Sequence, residues 1–137
     1  MSAPRDPWPW IVQPGETPMF ESPPPNVRRV SFLVDRTLCG AENLTAGLFV
    51  VPPHGHSLPD VHDTLEEIYY FVSGQGRVIL GKREHPVRAG TVAYIPCGVP
   101  HQVFNDGDDD LCLFFAFAPQ PDRPYRHETE GWQQVGD

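Results

Sequence analysis

Between Val30 and Ala118 the chain is cut into short β-prone runs, and this punctuation decides most of what it can fold into. The runs 30–34, 44–51, 67–72, 77–80, 91–95, 102–104 and 111–118 are rich in β-branched and aromatic residues. Gly, Pro, Asn or Asp separates each from the next. No window of useful length carries apolar residues at helical spacing. Ser73, Gly74, Gln75 and Gly76 read as a hairpin connection, and so do Asn105, Asp106, Gly107 and Asp108. Many short strands at roughly 8–12-residue spacing predict an all-β sandwich or barrel. At 137 residues the chain is long enough for one domain with a real core.

Proline marks the ends. Eight of the 17 prolines fall in the first 25 residues, among them Pro23, Pro24 and Pro25. Proline lacks the backbone donor and fixes φ, so this arm is expected to be neither helix nor central strand. Its Trp8, Trp10 and Phe20 would be left in water by a free tail, so an extended arm docked on the barrel or on a second subunit is expected. The stretch after Pro119 is again proline-rich and polar, with Tyr125 and Trp132 as candidate anchors. The chain thus divides into an arm, 1–29, a barrel, 30–118, and an extension, 119–137.

Charge and cysteine usage exclude several classes. Ten basic residues against 18 acidic ones give a formal charge of −8 and a pI near 5.1. With no basic stripe, nucleic acid is not an expected partner. No apolar run approaches the ~20 residues that cross a bilayer, and the N-terminus lacks the apolar core of a signal peptide. A soluble, cytoplasmic protein is therefore expected. Cys39, Cys97 and Cys112 are too few and too scattered for a disulfide framework.

Two blocks carry the chemistry. The first is His62-x4-Glu67-x6-Gly74; the second is Gly90-x5-Pro96-x-Gly98-x2-His101-x3-Asn105. Asp60 and His62, two apart, share a face of an extended chain, whereas Glu67 has the opposite parity. A turn or bulge at Asp63 and Thr64 would bring them together. Beyond it Glu67, Tyr69 and Phe71 share a face. His101 would arrive from a distant strand after the 96–100 corner, and barrel closure would bring the two blocks around one point.

These blocks resemble the two motifs of the cupin superfamily, over roughly residues 30–118. The resemblance implies a double-stranded β-helix, or jelly-roll, barrel holding a divalent metal. The second motif matches at every fixed position. The first, G-x5-H-x-H-x3–4-E-x6-G, matches at His62, Glu67 and Gly74. Asp60 stands where its first His belongs, and the opening Gly comes one place late, at Gly55. The implied metal set is His62, Glu67 and His101, a 2-His-1-carboxylate arrangement suited to non-haem iron, with Asp60 as a fourth ligand. Asp60 can equally orient His62 or a water, or act as a base. Oxygen ligands favour Fe(II) or Mn(II) over copper, with Zn(II) and Ni(II) also compatible. The alternative without a metal is a barrel of inward polar residues that satisfy one another.

Other features rank lower. His54 and His56 form an H-x-H pair, but ten residues separate His56 from Glu67; two loop histidines at the barrel mouth are expected, with a looped-in His56 as the alternative ligand. Cys97, at the variable position of the Pro96-x-Gly98 corner, is read as a small buried residue, with a catalytic thiol at the cavity mouth as the lesser alternative. Asp106, Asp108, Asp109 and Asp110 lack calcium-loop spacing and read as a solvated tip. His85 and His127 have no partner visible in sequence.

Cupins host oxygenases, decarboxylases, isomerases, lyases and pure binders, so the fold does not decide the reaction. The facial triad favours a non-haem iron dioxygenase acting on a small oxygenated metabolite. A redox-neutral lyase, isomerase or decarboxylase is the second reading, with Asp60, or Tyr69 at a lowered pKa, moving a proton. A non-catalytic ligand-binding barrel is the third. The cavity expected from Tyr69, Phe71, Val103 and the run at 114–117 leans toward an aromatic or otherwise apolar substrate. The resemblance also implies a homodimer, through sheet faces or exchanged N-terminal strands.

Overall fold

The computed structural model describes residues 10–121 and 125–136; Trp8 lies outside them. Among the described residues ten strands make two antiparallel sheets. The larger has the order β10-β1-β2-β3-β9-β4-β7, built from β1 (Met19–Glu21), β2 (Arg29–Val34), β3 (Thr45–Val51), β4 (Glu66–Ser73), β7 (Val92–Ile95), β9 (Leu111–Ala118) and β10 (Gln133–Val135). The smaller has the order β6-β5-β8, from β5 (Gln75–Leu80), β6 (Arg83–Arg88) and β8 (His101–Phe104). The two helices, α1 (Arg36–Cys39) and α2 (Arg126–Thr129), are single turns. All seven anticipated runs are strands, and the architecture is the expected jelly roll.

Period-two patterning explains which face each strand buries. Along β4, Glu67 and Phe71 are buried with Tyr69 half-buried between them, while Ile68, Tyr70 and Val72 are exposed. Along β9, Leu111, Leu113 and Phe115 turn inward, which settles the parity of the aromatic run. Val51, Phe71, Val78, Val103, Leu111 and Leu113 form the centre of the core. Burying one such side chain is worth about 1.5–3 kcal/mol.

The two segments expected to be hairpin turns do something else. β4 pairs with β9 and β7, and β5 with β6 and β8, so Gly74 carries the chain from one sheet to the other. Its φ is +88°, and a Cβ there would strike the Asp110 carbonyl oxygen. The 105–108 segment makes another such crossing, from β8 to β9. A buried Asn105 knots it: its Nδ2 donates to the carbonyls of Val51 and Asp109, each at 2.8 Å, and its Oδ1 accepts from Gly107 N–H at 2.9 Å. The tight two-residue turn is at Gly81 and Lys82, between β5 and β6. Strand β6 escaped the sequence reading because it is a polar edge carrying Pro86, with Val87 alone buried.

The ends of the chain join the large sheet. β1 lies between β10 and β2, so part of the arm is an interior strand, contrary to expectation. The three residues concerned contain no proline and are flanked by Pro18 and Pro23, which accounts for both the pairing and its brevity. Phe20 stacks on His127 at 4.3 Å between ring centres. The described part of the arm, through Met19–Glu21, is therefore docked on the barrel of its own chain.

Candidate metal centre

Each residue of the anticipated cluster is aimed by local backbone. A bend at Asp63 and Thr64 separates the extended segment carrying Asp60 and His62 from β4, and it reverses the parity so that Glu67 faces inward. Asp60 and His101 form an isolated antiparallel bridge. In the 96–100 corner, Gly98 N–H donates to the His62 carbonyl at 2.6 Å and the Cys97 thiol donates to the Asp63 carbonyl. The proline-glycine corner of the second motif thus clamps the bend of the first.

The side chains then converge. Single ligand atoms of Asp60, His62 and His101 lie within 4.8 Å of one another. Glu67 Oε1 is 3.4 Å from His62 Nε2 and 3.6 Å from His101 Nε2, and Asp60 Oδ2 is 3.8 Å from His62 Nε2. Glu67 and His101 are 6% and 4% exposed. His101 Nδ1 lies 3.0 Å from the Val99 carbonyl; a carbonyl only accepts, so Nδ1 carries a proton, and Nε2 is the ring nitrogen turned toward the cluster.

This donor set fits a divalent metal. Glu67 Oε1 is buried and has no hydrogen-bond partner among the described residues, although buried polar atoms almost always find one. Atoms about 2.1 Å from a common ion lie roughly 3 to 4.2 Å from one another, and the three distances above fall within that span. Two imidazoles and two carboxylates also balance a dication to neutrality.

The cluster opens into a cavity of about 560 Å³, within the usual range for small-ligand sites. Phe32, Phe49, Leu113, Phe115 and Phe117 form its apolar wall, with Tyr69 beside the cluster. Of the other expected cavity residues, Phe71 and Val103 belong to the core behind this wall. Pro121 and residues between Tyr125 and Trp132 complete the enclosure. Tyr125 stacks on Phe32 at 4.2 Å, and Arg126 Nη2 reaches Asp60 Oδ2 at 3.5 Å. Tyr125 and Trp132 were legible as anchors, but no sequence signal marked Arg126 or Arg28, which also lines the cavity.

Several candidates fall elsewhere. His54, at φ +63°, pairs at the surface with Asp108. His56 lies against Phe104 and Asn26. Neither joins the cluster, so His56 does not replace the missing first-motif histidine. Cys97 is exposed and not part of the cavity wall. Tyr69 does not have the lowered pKa that a base requires: burial, then the charges of Glu67 and Asp60, push its phenol well above its ordinary value. It stays protonated and is a hydrogen-bond donor, its ring 6.0 Å from that of His101.

The fold, the cluster and the cavity together define a small barrel whose inward His and carboxylate groups could hold a metal ion, and the comparisons agree on the fold. Residues 47–117 match the cupin domain model, and the chain belongs to the cupin family. It is 35% identical over 108 residues to Protein SchB of Streptomyces halstedii, covering 77% of this chain and 78% of that one. A structure described as a predicted oxalate decarboxylase from Thermotoga maritima is similar with a TM-score of 0.71 at 22% identity, covering 80% of this chain and 99% of that one. KdgF from Halomonas sp. is similar with a TM-score of 0.63 at 18% identity, covering 75% of this chain and 87% of that one. At these identities the two structures attest the fold alone. No helix among the described residues is long and apolar enough to cross a membrane.

Proposed function

We propose that this cupin is a metal-dependent enzyme acting on a small oxygenated organic metabolite, and that it is a non-haem iron dioxygenase. His62, Glu67 and His101 hold the metal, with Asp60 on the same site. The observation that carries the reading is the buried Glu67 Oε1, without a hydrogen-bond partner among the described residues and set between two imidazole Nε2 atoms. When bound, the metal supplies Lewis-acid activation of a substrate oxygen and, as iron, one-electron chemistry with dioxygen.

The chain's own residues do the rest. The phenylalanine wall excludes water and holds a flat apolar body by packing. Tyr69, kept protonated, donates a hydrogen bond toward a substrate oxygen. Arg126 holds the Asp60 carboxylate at the cavity rim. A redox-neutral reading (lyase, isomerase or decarboxylase) has one observation in its favour: Asp60 Oδ2 is 3.8 Å from His62 and only partly engaged by Arg126, which leaves a carboxylate able to accept a substrate proton.

Elemental analysis of untagged protein purified without chelators, followed by oxygen-uptake screens, tests the reading. Near-stoichiometric iron with substrate-dependent oxygen consumption supports the dioxygenase. Turnover without oxygen would transfer support to the redox-neutral enzyme. If no metal is present, and none is taken up on anaerobic reconstitution, the enzyme reading fails and a ligand-binding barrel takes its place.

The functional unit is proposed to be a cytoplasmic homodimer. Ile68, Tyr70 and Val72 of β4, with Val92 and Tyr94 of β7, form one exposed apolar strip, Val92 being 61% and Tyr94 54% exposed. A contiguous strip of this kind marks an interaction surface, and the isologous pairing of two such sheet faces would cover it.

A further inference from the structure

Two arginines face the cavity outside the metal cluster. Arg28 is only 7% exposed. Its Nε–H donates to the Asn26 carbonyl at 3.1 Å, and its guanidinium carbon lies 5.1 Å from the centre of the Trp132 ring. No carboxylate among the described residues pairs with it. That is unusual, because a buried guanidinium normally holds an anion in its fork of donors. Arg126 lies close enough for its charge to be felt at Arg28. Burial and that charge both pull the Arg28 guanidinium below its ordinary pKa, and Glu130 opposes them with the smallest of the three effects. The indole Nε1–H of Trp132, on the same wall, also has no acceptor among the described residues.

We propose that Arg28, with Arg126 beside it, binds a carboxylate of the substrate, so that the cavity takes an aromatic or otherwise apolar carboxylic acid. A single carboxylate matches the fork of donors that Arg28 offers with no carboxylate partner among the described residues. The phenylalanine wall receives the apolar body, which leaves the substrate's other oxygen for the metal cluster. The substrate's role rests on the enzyme reading above, whereas carboxylate binding by Arg28 can be measured without metal.

The test is calorimetric titration of the metal-free full chain with salicylate, phenol and phenyl phosphate. Salicylate is expected to bind at least ~10-fold more tightly than phenol, the scale of a charge-assisted hydrogen bond, and more tightly than phenyl phosphate. Arg28→Gln is expected to abolish the advantage over phenol, and Arg28→Lys to retain part of it. Where near-UV circular dichroism shows that Arg28→Gln does not fold, Arg126→Gln, on a more exposed residue, is read instead and is expected to shrink the advantage. Equal affinity for salicylate and phenol, no measurable salicylate binding, preference for phenyl phosphate, or an advantage unchanged in the folded variant would each overturn the proposal. Metal content, measured separately, decides the enzyme reading: absence of metal sinks that reading and leaves the anion result standing.

Discussion

Asp60 and His101 exchange both of their backbone hydrogen bonds, Asp60 N–H to the His101 carbonyl at 3.0 Å and His101 N–H to the Asp60 carbonyl at 2.8 Å. The residue that stands in place of the first histidine of the first cupin motif is thereby held directly opposite the histidine of the second. In such a bridge the two side chains emerge on the same side. The substitution of aspartate for histidine has therefore kept its place at the site and changed its chemistry.

That placement makes Asp60→His informative. Restoring the family's histidine is expected to tighten Zn(II) or Mn(II) binding, measured by competition with a fluorescent chelator. Asp60→Ala is expected to weaken metal binding about 10–100-fold, the range for residues that support or complete a metal site. Unchanged affinity in both variants would place Asp60 outside the metal's reach.

Glu67→Gln keeps the volume of the buried side chain and removes its charge. It is expected to lose stoichiometric metal while keeping a native circular dichroism spectrum. His101→Ala is expected to do the same. Full metal occupancy in both, by elemental analysis, would refute the ligand assignment.

Asn105 occupies a fixed motif position and ligates nothing. Asn105→Ala would leave the buried carbonyl of Val51 without its donor and free the β8–β9 crossing. The expected cost is about 2–4 kcal/mol, from groups left unsatisfied, read as a lower urea midpoint. A variant as stable as wild type would show that water takes over these bonds.

The exposed strip on β4 and β7 predicts a dimer that Val92→Glu converts to monomer, with the metal content unchanged. Light scattering distinguishes the two. A dimer that persists in Val92→Glu and Tyr94→Glu would have to use another face.

His127 predicts an acid-sensitive C-terminal segment. Burial among Phe20, Phe32 and Tyr125 pulls its pKa below the ordinary histidine value. The unfolded segment then binds the proton more readily, so stability contributed by the neutral ring is present above about pH 6.5. It is lost as pH falls toward the folded-state value. Hydrogen exchange of residues 125–135 should accelerate on acidification below neutrality, and His127→Phe should remove that dependence.

The strand runs, the two motifs and the bend at Asp63 and Thr64 were determined by sequence alone, whereas the convergence on Asp60, His62, Glu67 and His101 was only implied by the resemblance of those motifs to the cupin pattern. The runs, the motifs and the bend rest on local regularities: period-two burial, turn chemistry and fixed spacing act over a few residues. Tertiary structure alone decided what comes from distant segments. Gly74 and the 105–108 segment look like hairpin turns, because a glycine that permits positive φ serves a turn and a sheet crossing equally well. Whether they turn back or cross over depends on which strands are free to pair. The inward face of the 114–117 run, the exclusion of His56, and the closure of the cavity by Arg28, Arg126 and Trp132 are of the same kind. They follow from which side chains barrel closure brings together, and no local pattern encodes a contact between residues about a hundred positions apart.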